Sequence, residues 1–176
     1  GEHRESDIPA DLLPEVLFNA GKTEECREAI GKIREEKLTP ELTALRGRCE
    51  IEGGHFSDAL KSFTSALKAD ENLRGIRVLA GMILQSKRDY DGALRMYDEA
   101  LKFRENPREV CSIKASLLYD QERNAELLVF RSDVENMGIS CPDVDGYAGL
   151  VYIERTPHDE KKGLSYLERA VGGGSA

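Results

Sequence analysis

The chain has 176 residues and a net charge of −8; a third of its residues are charged and only 6% are aromatic. The negative charge argues against a surface that binds phosphates, so we expect no nucleic-acid partner. No apolar run reaches the roughly 18 residues that a membrane helix needs, and no apolar signal segment opens the chain. We therefore expect no membrane insertion. The many helix-forming residues and the absence of tryptophan favour an extended all-α fold over a β-rich core.

The chain begins with a polar tail over residues 1–7, which we expect to be disordered, and a divergent helix pair over residues 8–38. Pro14 is expected to bend the first helix or delay its start, and Thr23 is a candidate N-cap for the second. Both helices are predicted from amphipathic stripes. These stripes consist of Ile8, Leu12, Leu13, Val16, Leu17 and Ala20 in the first helix, and Cys26, Ala29, Ile30 and Ile33 in the second.

Residues 39–106 contain the same 34-residue pattern twice. A fixed period of this length is typical of a solenoid of stacked helix pairs. A shift of 34 residues superimposes Gly47 on Gly81, Phe56 on Tyr90, Ala59 on Ala93, Leu60 on Leu94, Ala66 on Ala100, Leu67 on Leu101, Lys68 on Lys102 and Asn72 on Asn106.

Each of these two units is predicted to form a helix, a short turn and a second helix. In the first unit the helices are expected over about 41–52 and about 57–69. The small residues Gly47, Ala59 and Ala66 are predicted to let the two helix axes approach to roughly 8–10 Å.

Several other side chains of the first unit have predicted contacts. Thr39 and Pro40 are expected to be the N-cap and the first residue of its first helix. Arg46 and Glu50 lie four residues apart, which predicts a pair along a partly solvated helix face. Phe56 is predicted to cover the turn and lean on the first helix.

Residues 107–140 are predicted to form a divergent third unit. Asn106 and Glu109 provide an N-cap and a capping-box glutamate around a first-turn proline. Leu127 and Val134 stand where the earlier units have alanines, which predicts a change in the stacking of the helices.

Residues 141–171 are predicted to form a fourth unit, with a turn around Thr156-Pro157-His158 that is two residues longer than in the first unit. A flexible tail is predicted over residues 172–176. Since no polar capping helix follows the fourth unit, we expect its end to lean on a partner or to self-associate.

The two central units resemble the tetratricopeptide repeat (TPR) family. The family pattern is a small residue on the first helix, an aromatic residue opening the second, and two alanines seven residues apart, which this chain matches with Gly47, Phe56, Ala59 and Ala66. The fourth unit is similar to a Sel1-like repeat, a relative with a longer turn. The resemblance implies an all-α fold, an α-solenoid of about four stacked antiparallel helix pairs forming a TPR-like superhelix.

The resemblance also implies a binding site, because the first helices of TPR proteins line a concave groove. Here that groove would have an apolar centre and an acidic rim, so we expect a protein or peptide partner that is partly apolar with a basic flank. A wider set of candidates on the last first helix includes Asp143, Gly146 and Ile153. The predicted partner-binding residues are Ala44, Arg48, Val78, Met82, Gln85, Ser112, Ser116, Tyr119 and Leu150.

The cysteines and histidines favour neither catalysis nor metal binding. The four cysteines form no CxxC motif, and the three histidines are scattered in the predicted tail and turns. We predict free, buried thiols in a reducing compartment, and hence a cytoplasmic protein. No histidine, cysteine or serine has an evident base beside it, so we expect no enzyme activity, no cofactor and no metal.

These observations favour a noncatalytic protein–protein interaction scaffold, with an escort or chaperone of an apolar client segment as a specific version. One alternative is a fixed structural subunit of a larger assembly that uses its convex face and C-terminal end. Another is a regulatory TPR domain of a multidomain enzyme. An escort is expected to be stable alone, whereas a fixed subunit tends to self-associate.

Overall fold

The computed structural model describes residues 8–10, 12–155 and 158–172. The predicted disordered tail, Thr156 and Pro157 of the long turn, and residues 173–176 of the predicted flexible tail lie outside the described residues. Within the described residues every regular element is a helix, which confirms the predicted all-α class. The α-helices are α1 (Leu13–Asn19), α2 (Thr23–Gly31), α3 (Pro40–Glu52), α4 (Phe56–Ala69), α5 (Ile76–Ser86), α6 (Tyr90–Lys102), α7 (Pro107–Asp120), α8 (Asn124–Asn136), α9 (Pro142–Glu154) and α10 (Glu160–Gly172), and a short 3₁₀ helix spans Glu35–Lys37.

The helices form two compact units, residues 1–87 and 88–176, and each of these units contains more than one of the predicted helix-pair repeats. In the first unit α1 packs on α2 and α3, α2 packs on α3, α3 on α4, and α4 on α5. In the second unit α6 packs on α7, α7 on α8 and α9, α8 on α9, and α9 on α10. No described helix combines the length and the apolar character that a membrane crossing would require.

The first helix is shorter than its sequence stripe. Pro14 delays the start as predicted, since α1 begins at Leu13 with the proline in its first turn. In a helix of seven residues only one narrow side faces the core. Leu17 is buried there, whereas Leu12 and Val16 are 50% and 45% exposed and Ala20 is exposed as well, so the predicted stripe is wrong at these three positions.

The predicted N-cap of the second helix is also wrong. Thr23 is the first residue within α2, and the preceding residue, Lys22, makes no side-chain cap. The core beneath α1 and α2 is apolar and extends to α3. It consists of Leu17, Cys26, Ile30, Leu45 and Cys49.

The helix pair α3–α4 has the contact that its small residues predict. A Cβ atom on Gly47 would lie 2.5 Å from Cε1 of the Phe63 ring, so only glycine admits the ring at this distance. Ala59 and Ala66 are fully buried on α4. The Thr39 hydroxyl accepts a hydrogen bond from the Leu42 N–H at 3.2 Å, which confirms the predicted N-cap.

The pairing of Arg46 with Glu50 is confirmed, but its surroundings differ from the prediction. The Glu50 carboxylate lies 3.9 Å from Arg46 Nε and accepts a hydrogen bond from the Ser62 hydroxyl at 2.7 Å. Arg46 Nε in turn donates to the Ser62 hydroxyl at 3.2 Å. Glu50 is buried under α4, whereas the Arg46 side chain is 33% exposed, so the predicted partly solvated face is confirmed at Arg46 and wrong at Glu50. Phe56 opens α4 but remains 44% exposed.

The helices α1, α3 and α7 end in the same left-handed turn. The second residue after each helix has a positive φ; these residues are Gly21, Gly54 and Glu122. In each case the N–H of the next residue donates to the carbonyl five residues earlier, as in a Schellman cap, for example His55 to Glu50 at 2.7 Å. This turn sends the chain directly into the next helix.

The start of α7 departs from the predicted cap. Pro107 lies in the first turn as expected, but Asn106 has a φ of 37° and its side chain makes no cap to the backbone. Instead the Asn106 amide donates to the Glu109 carboxylate at 3.3 Å. Farther along, Leu127 and Val134 of α8 are buried where the earlier repeats carry alanines.

The helices α9 and α10 approach each other through two glycines. A Cβ atom on Gly163 would lie 2.9 Å from the carbonyl oxygen of Gly149 and 2.5 Å from Cγ1 of Ile153. A Cβ atom on Gly149 would lie 3.0 Å from the carbonyl oxygen of Gly163. The two helix backbones are therefore in direct contact at this crossing.

Candidate functional site

The predicted site residues of the first unit fall into two groups. Ala44 and Arg48 lie on α3 and line a cavity of about 420 Å³ that also reaches Leu42, Arg74 and Ile76. The Arg48 guanidinium lies 4.6 Å from the centre of the Phe18 ring, so this cation is held over an aromatic face.

The other predicted residues of this unit lie on α5 and do not line that cavity. Met82 is 50% exposed and Gln85 is half-buried, whereas Val78 is buried. Met82 therefore presents an apolar side chain to solvent, but the structure does not bring it together with Ala44 and Arg48. These five residues remain predicted contacts.

In the second unit the predicted residues lie on two helices that pack together, and we call the surface that they define with their neighbours the α7–α9 face. Ser112, Ser116 and Tyr119 recur at helical spacing on α7, and Leu150 lies on α9. The neighbouring positions on α9 at the same spacing complete the set. The α7–α9 face consists of Ser112, Ser116, Tyr119, Asp143, Tyr147, Leu150 and Glu154.

Two hydrogen bonds and one ring contact join the two helices across this face. The Ser112 hydroxyl donates to the Asp143 carboxylate at 2.6 Å, and the Tyr119 hydroxyl donates to the Glu154 carboxylate at 2.6 Å. The Tyr119 and Tyr147 rings lie 5.2 Å apart between these two bonds. Since the first bond joins residues that precede those of the second bond in both helices, α7 and α9 run parallel.

Tyr119 is the most constrained side chain of the face. The Arg155 guanidinium lies 4.0 Å from its ring centre and also donates to the Tyr119 carbonyl and to the Asn124 amide oxygen, both at 2.9 Å. The hydrogen bond to Glu154 raises the pKa of the Tyr119 hydroxyl, because the adjacent carboxylate disfavours a phenolate. The ring is thus fixed in position while its side chain stays partly exposed.

An open groove of about 610 Å³ adjoins the face near the start of α7. Its lining includes Pro107, Glu109 and Ile113, together with Ser112 and Asp143 of the face. The face is therefore aromatic at its centre, with a carboxylate toward each end, and beside one end lies a groove that Pro107 and Ile113 share with charged residues, Arg108 among them.

Tyr147, Glu154 and Arg155 are the contributors that the sequence analysis missed. The helical period was available as a signal, because Tyr147 and Glu154 lie four and eleven residues after Asp143. The sequence analysis chose Gly146 and Ile153 instead, and these two residues face α10. A Cβ atom on Gly146 would lie 3.8 Å from the Ala170 Cβ, and Ile153 lies against Gly163.

All four cysteines are buried and free, as predicted. Within the described ranges, no three or more His, Cys, Asp or Glu side chains come together as a metal site would require. The chemical groups of the α7–α9 face are hydroxyls, carboxylates and aromatic rings, which suit noncovalent recognition of a polypeptide.

No protein-family profile and no curated protein sequence matches this chain. Solved structures do match. MamA from Desulfovibrio magneticus RS-1 (residues 41 to the end) has a TM-score of 0.69 at 14% identity, with 99% of this chain and 97% of that chain covered.

Two further structures are described as TPR proteins. YrrB, "a TPR protein with an unusual peptide-binding site", has a TM-score of 0.70 at 19% identity, covering 98% of this chain and 88% of that chain. The C-terminal part of a TPR repeat-containing protein from Cytophaga hutchinsonii has a TM-score of 0.62 at 14% identity, covering 91% and 77%. These likenesses show that the chain has a TPR-type fold and confirm the predicted α-solenoid class. The Sel1-like character predicted for residues 141–171 stays a prediction.

Proposed function

We propose that this chain is a noncatalytic interaction scaffold that binds a peptide or helical segment of a partner protein on the α7–α9 face. The observation that carries the proposal is Tyr119, which is held by Tyr147, Glu154 and Arg155 yet remains partly exposed. An aromatic side chain that is already fixed loses little conformational entropy on binding, and aromatic residues dominate the energetics of many interfaces.

The chemistry of the face defines the partner. Its aromatic centre and the adjoining groove with Ile113 suit an apolar segment, and the carboxylates of Asp143 and Glu154 suit a Lys- or Arg-containing flank. A partly apolar peptide with a basic flank therefore fits best. The described peptide-binding site of YrrB supports testing peptides first, because the two chains share a fold.

A narrower form of the proposal is an escort that shields an apolar client segment in the cytoplasm. The four free, buried cysteines suit a reducing compartment. An escort should remain monomeric and folded without its client, which size-exclusion chromatography of the purified chain would test.

The proposal is tested by panning a displayed library of random peptides on the purified chain. We expect enrichment of peptides with aromatic or aliphatic residues next to Lys or Arg. Neutralising the face with Asp143→Asn and Glu154→Gln together should weaken the enriched peptides, because the basic flank loses both carboxylates. Asp133→Asn with Glu168→Gln removes two other exposed carboxylates from the same unit and is the matched control.

Two outcomes would count against this function. One is a library that yields no enriched sequence. The other is an enriched sequence that binds both double variants equally well, because the peptide would then occupy another surface.

A second candidate is the fixed subunit of a larger assembly, and α10 provides the observation for it. Leu164 and Val171 of α10 are 49% and 79% exposed. Exposed apolar side chains on a helix surface suit a protein contact. Sedimentation velocity of the wild type and of the double variant Leu164→Ser/Val171→Ser would test this candidate. Self-association that the double variant abolishes would support it. A wild type that stays monomeric at all concentrations would oppose self-association through α10.

A further inference from the structure

Two of the buried cysteines lie side by side in the first unit. Cys49 Sγ of α3 is 2.7 Å from Cys26 Sγ of α2, and the Cys49 thiol donates a hydrogen bond to the Cys26 sulfur. Two sulfur atoms at this distance are well inside ordinary van der Waals contact, and a disulfide bond is about 2.05 Å long. Only a small movement of the two side chains therefore separates the thiols from a disulfide.

The packing around the pair holds both side chains in place. Cys26 is fully buried and Cys49 is 2% exposed, in an apolar core with Leu17 of α1, Ile30 of α2 and Leu45 of α3. Both cysteines are free thiols, and α2 packs on α3 where they meet. The fold therefore presents one thiol to the other at a high effective concentration.

The distance along the chain does not select this pair. Cys26 and Cys49 are 23 residues apart, and Cys111 and Cys141 are 30 residues apart. Because the entropy of loop closure changes slowly with loop length, an unfolded chain would close these two pairs to a similar extent. A strong preference for Cys26–Cys49 would therefore have to come from the fold.

Burial makes both thiols poor nucleophiles while the core is closed. It is the main reason that the pKa of Cys26 and the pKa of Cys49 both lie above the usual range of a thiol. The hydrogen bond between them raises the pKa of Cys49 further and acts to lower the pKa of Cys26. Cys26 is therefore the sulfur that ionises more readily, once the core opens locally to a reagent.

The helix α1 is the element best suited to such an opening. It has seven residues, of which Pro14 and Leu17 are buried and Val16 is half-exposed. A segment with few buried apolar contacts has a low free energy of local opening. Because Leu17 belongs to the same core cluster as both cysteines, lifting α1 uncovers the core in which they lie.

We propose that Cys26 and Cys49 form a disulfide when the chain meets a small organic disulfide, and that this bond fastens α2 to α3. The bond ties the divergent helix pair at residues 8–38 to the repeat that follows it. When α1 closes over the core again, the bond is buried and protected from reductants. The chain thereby has an oxidised form that is more stable than its reduced form.

The reaction consists of two thiol–disulfide exchanges. Cys26 loses its proton to water, and its thiolate attacks one sulfur of the small disulfide RSSR. This step forms the mixed disulfide Cys26–S–S–R and releases RS⁻. Cys49 then loses its proton to water and attacks the Cys26 sulfur, which forms the Cys26–Cys49 disulfide and releases a second RS⁻. The two cysteines lose two electrons, and RSSR is reduced to two RSH after protonation.

The test equilibrates the reduced, folded full chain with mixtures of 2-mercaptoethanol and 2-hydroxyethyl disulfide, a small neutral disulfide. Samples are quenched with acid, remaining thiols are blocked with N-ethylmaleimide, and digestion with mass spectrometry identifies the state of each cysteine. We expect at least about tenfold more Cys26–Cys49 disulfide than disulfide between any other two cysteines. In concentrated urea this preference should fall to about twofold or less, because only loop length then distinguishes the pairs.

Three outcomes would overturn the proposal. The first is a folded chain in which Cys26 and Cys49 stay reduced or carry only mixed disulfides. The second is another cysteine pair that closes to an equal extent in the folded chain. The third is an unchanged preference in urea, since the fold would then not be its cause.

A stability measurement tests the consequence of the bond. Oxidation should raise the urea midpoint of the wild type by about 1 M, because the bond restricts the unfolded chain. Cys49→Ala removes one partner, so the same treatment should leave its midpoint unchanged. Equal shifts in the two chains would mean that the stabilisation does not come from Cys26–Cys49.

A matched pair of variants tests the role of α1. Leu17→Ala loosens the packing of α1 on the core and should speed formation of the disulfide by at least about fivefold. Val16→Ala changes a half-exposed residue of the same helix and should react at about the wild-type rate. Equal rates in the two variants would contradict α1 as the cover. Circular dichroism checks folding, and the result for the wild type stands independently of the variants.

Discussion

The helix pairs α3–α4 and α9–α10 both depend on a glycine in their first helix, but the two glycines contact different groups. Gly47 of α3 leaves room for the ring of Phe63, a side chain. Gly149 of α9 leaves room for the Leu167 side chain and also for the backbone of α10 at Gly163, and Gly163 leaves room for the Ile153 side chain and the backbone at Gly149. A side chain can be trimmed or can rotate, whereas a helix backbone moves only as a whole. We therefore expect α9–α10 to tolerate added volume less well than α3–α4.

The largest effect is expected from Gly163→Ala. Its Cβ would meet the Gly149 carbonyl oxygen at 2.9 Å and Ile153 at 2.5 Å, so the helices must separate. We predict a loss of about 2–3 kcal/mol in the free energy of unfolding, even though alanine favours a helix over glycine. Urea unfolding followed by circular dichroism would measure this loss.

The matched control is Gly31→Ala in α2, where a Cβ meets nothing within 4 Å and stability should rise by about 0.5–1 kcal/mol. Equal effects of the two changes would refute the backbone contact.

A smaller loss is expected from Gly47→Ala, about 1–2 kcal/mol, because the Phe63 ring must shift in a packed core. In contrast to a backbone contact, a contact with a ring should be relieved when the ring is made smaller. Trimming the ring in Gly47→Ala/Phe63→Leu should cost less than the sum of the two single changes. Additive losses in this double-mutant cycle would mean that the ring is not what excludes a Cβ at residue 47.

The next largest loss of stability is expected from Ser62→Ala, which changes the surroundings of the buried Glu50 carboxylate on α3. Ser62→Ala removes the hydroxyl that donates to Glu50 at 2.7 Å, which leaves a buried charged group with one donor fewer. We predict a loss of about 1–2 kcal/mol. Ser65→Ala changes an exposed serine of the same helix and should stay within about 0.5 kcal/mol of the wild type. Similar stability of both variants would show that the hydrogen bond from Ser62 to Glu50 does not contribute to the free energy of unfolding.

The smallest effect is expected from Gly146→Ala, which lies on the same helix as Gly149. Its Cβ would meet only the Ala170 Cβ at 3.8 Å, an ordinary contact. Stability should be unchanged or rise by about 0.5–1 kcal/mol. A thermal melt that instead shows a loss comparable with Gly163→Ala would mean that the tight contact extends along the whole helix pair.

The sequence predicted α3–α4 well because every signal there is local. The small residues at 47, 59 and 66 fix which sides of the helices meet, and Thr39-Pro40 marks the helix start. The register of α9 was harder to predict, since three- and four-residue steps both fit a period of 3.6. The choice of Gly146 and Ile153 over Tyr147 and Glu154 rotated the predicted surface toward α10.

Contacts between distant residues could not be predicted from one sequence. The pairing of Cys26 with Cys49 depends on how α2 docks on α3, and the burial of Glu50 depends on α4 covering it. Likewise, Arg155 reaches Tyr119 only because α9 lies parallel to α7. No local pattern encodes these distances, so they follow only from the packed structure.

The proposal that a peptide binds on the α7–α9 face is tested most directly by measuring affinity for an enriched peptide with fluorescence anisotropy. Leu150→Lys places a cation at the centre of the face and removes an apolar contact, and Val129→Lys makes the same kind of change at an exposed position of α8. We predict that Leu150→Lys weakens binding of the basic-flanked peptide by at least about tenfold, equal to 1.4 kcal/mol, while Val129→Lys stays near the wild-type affinity. Wild-type affinity in a folded Leu150→Lys chain would contradict binding on this face.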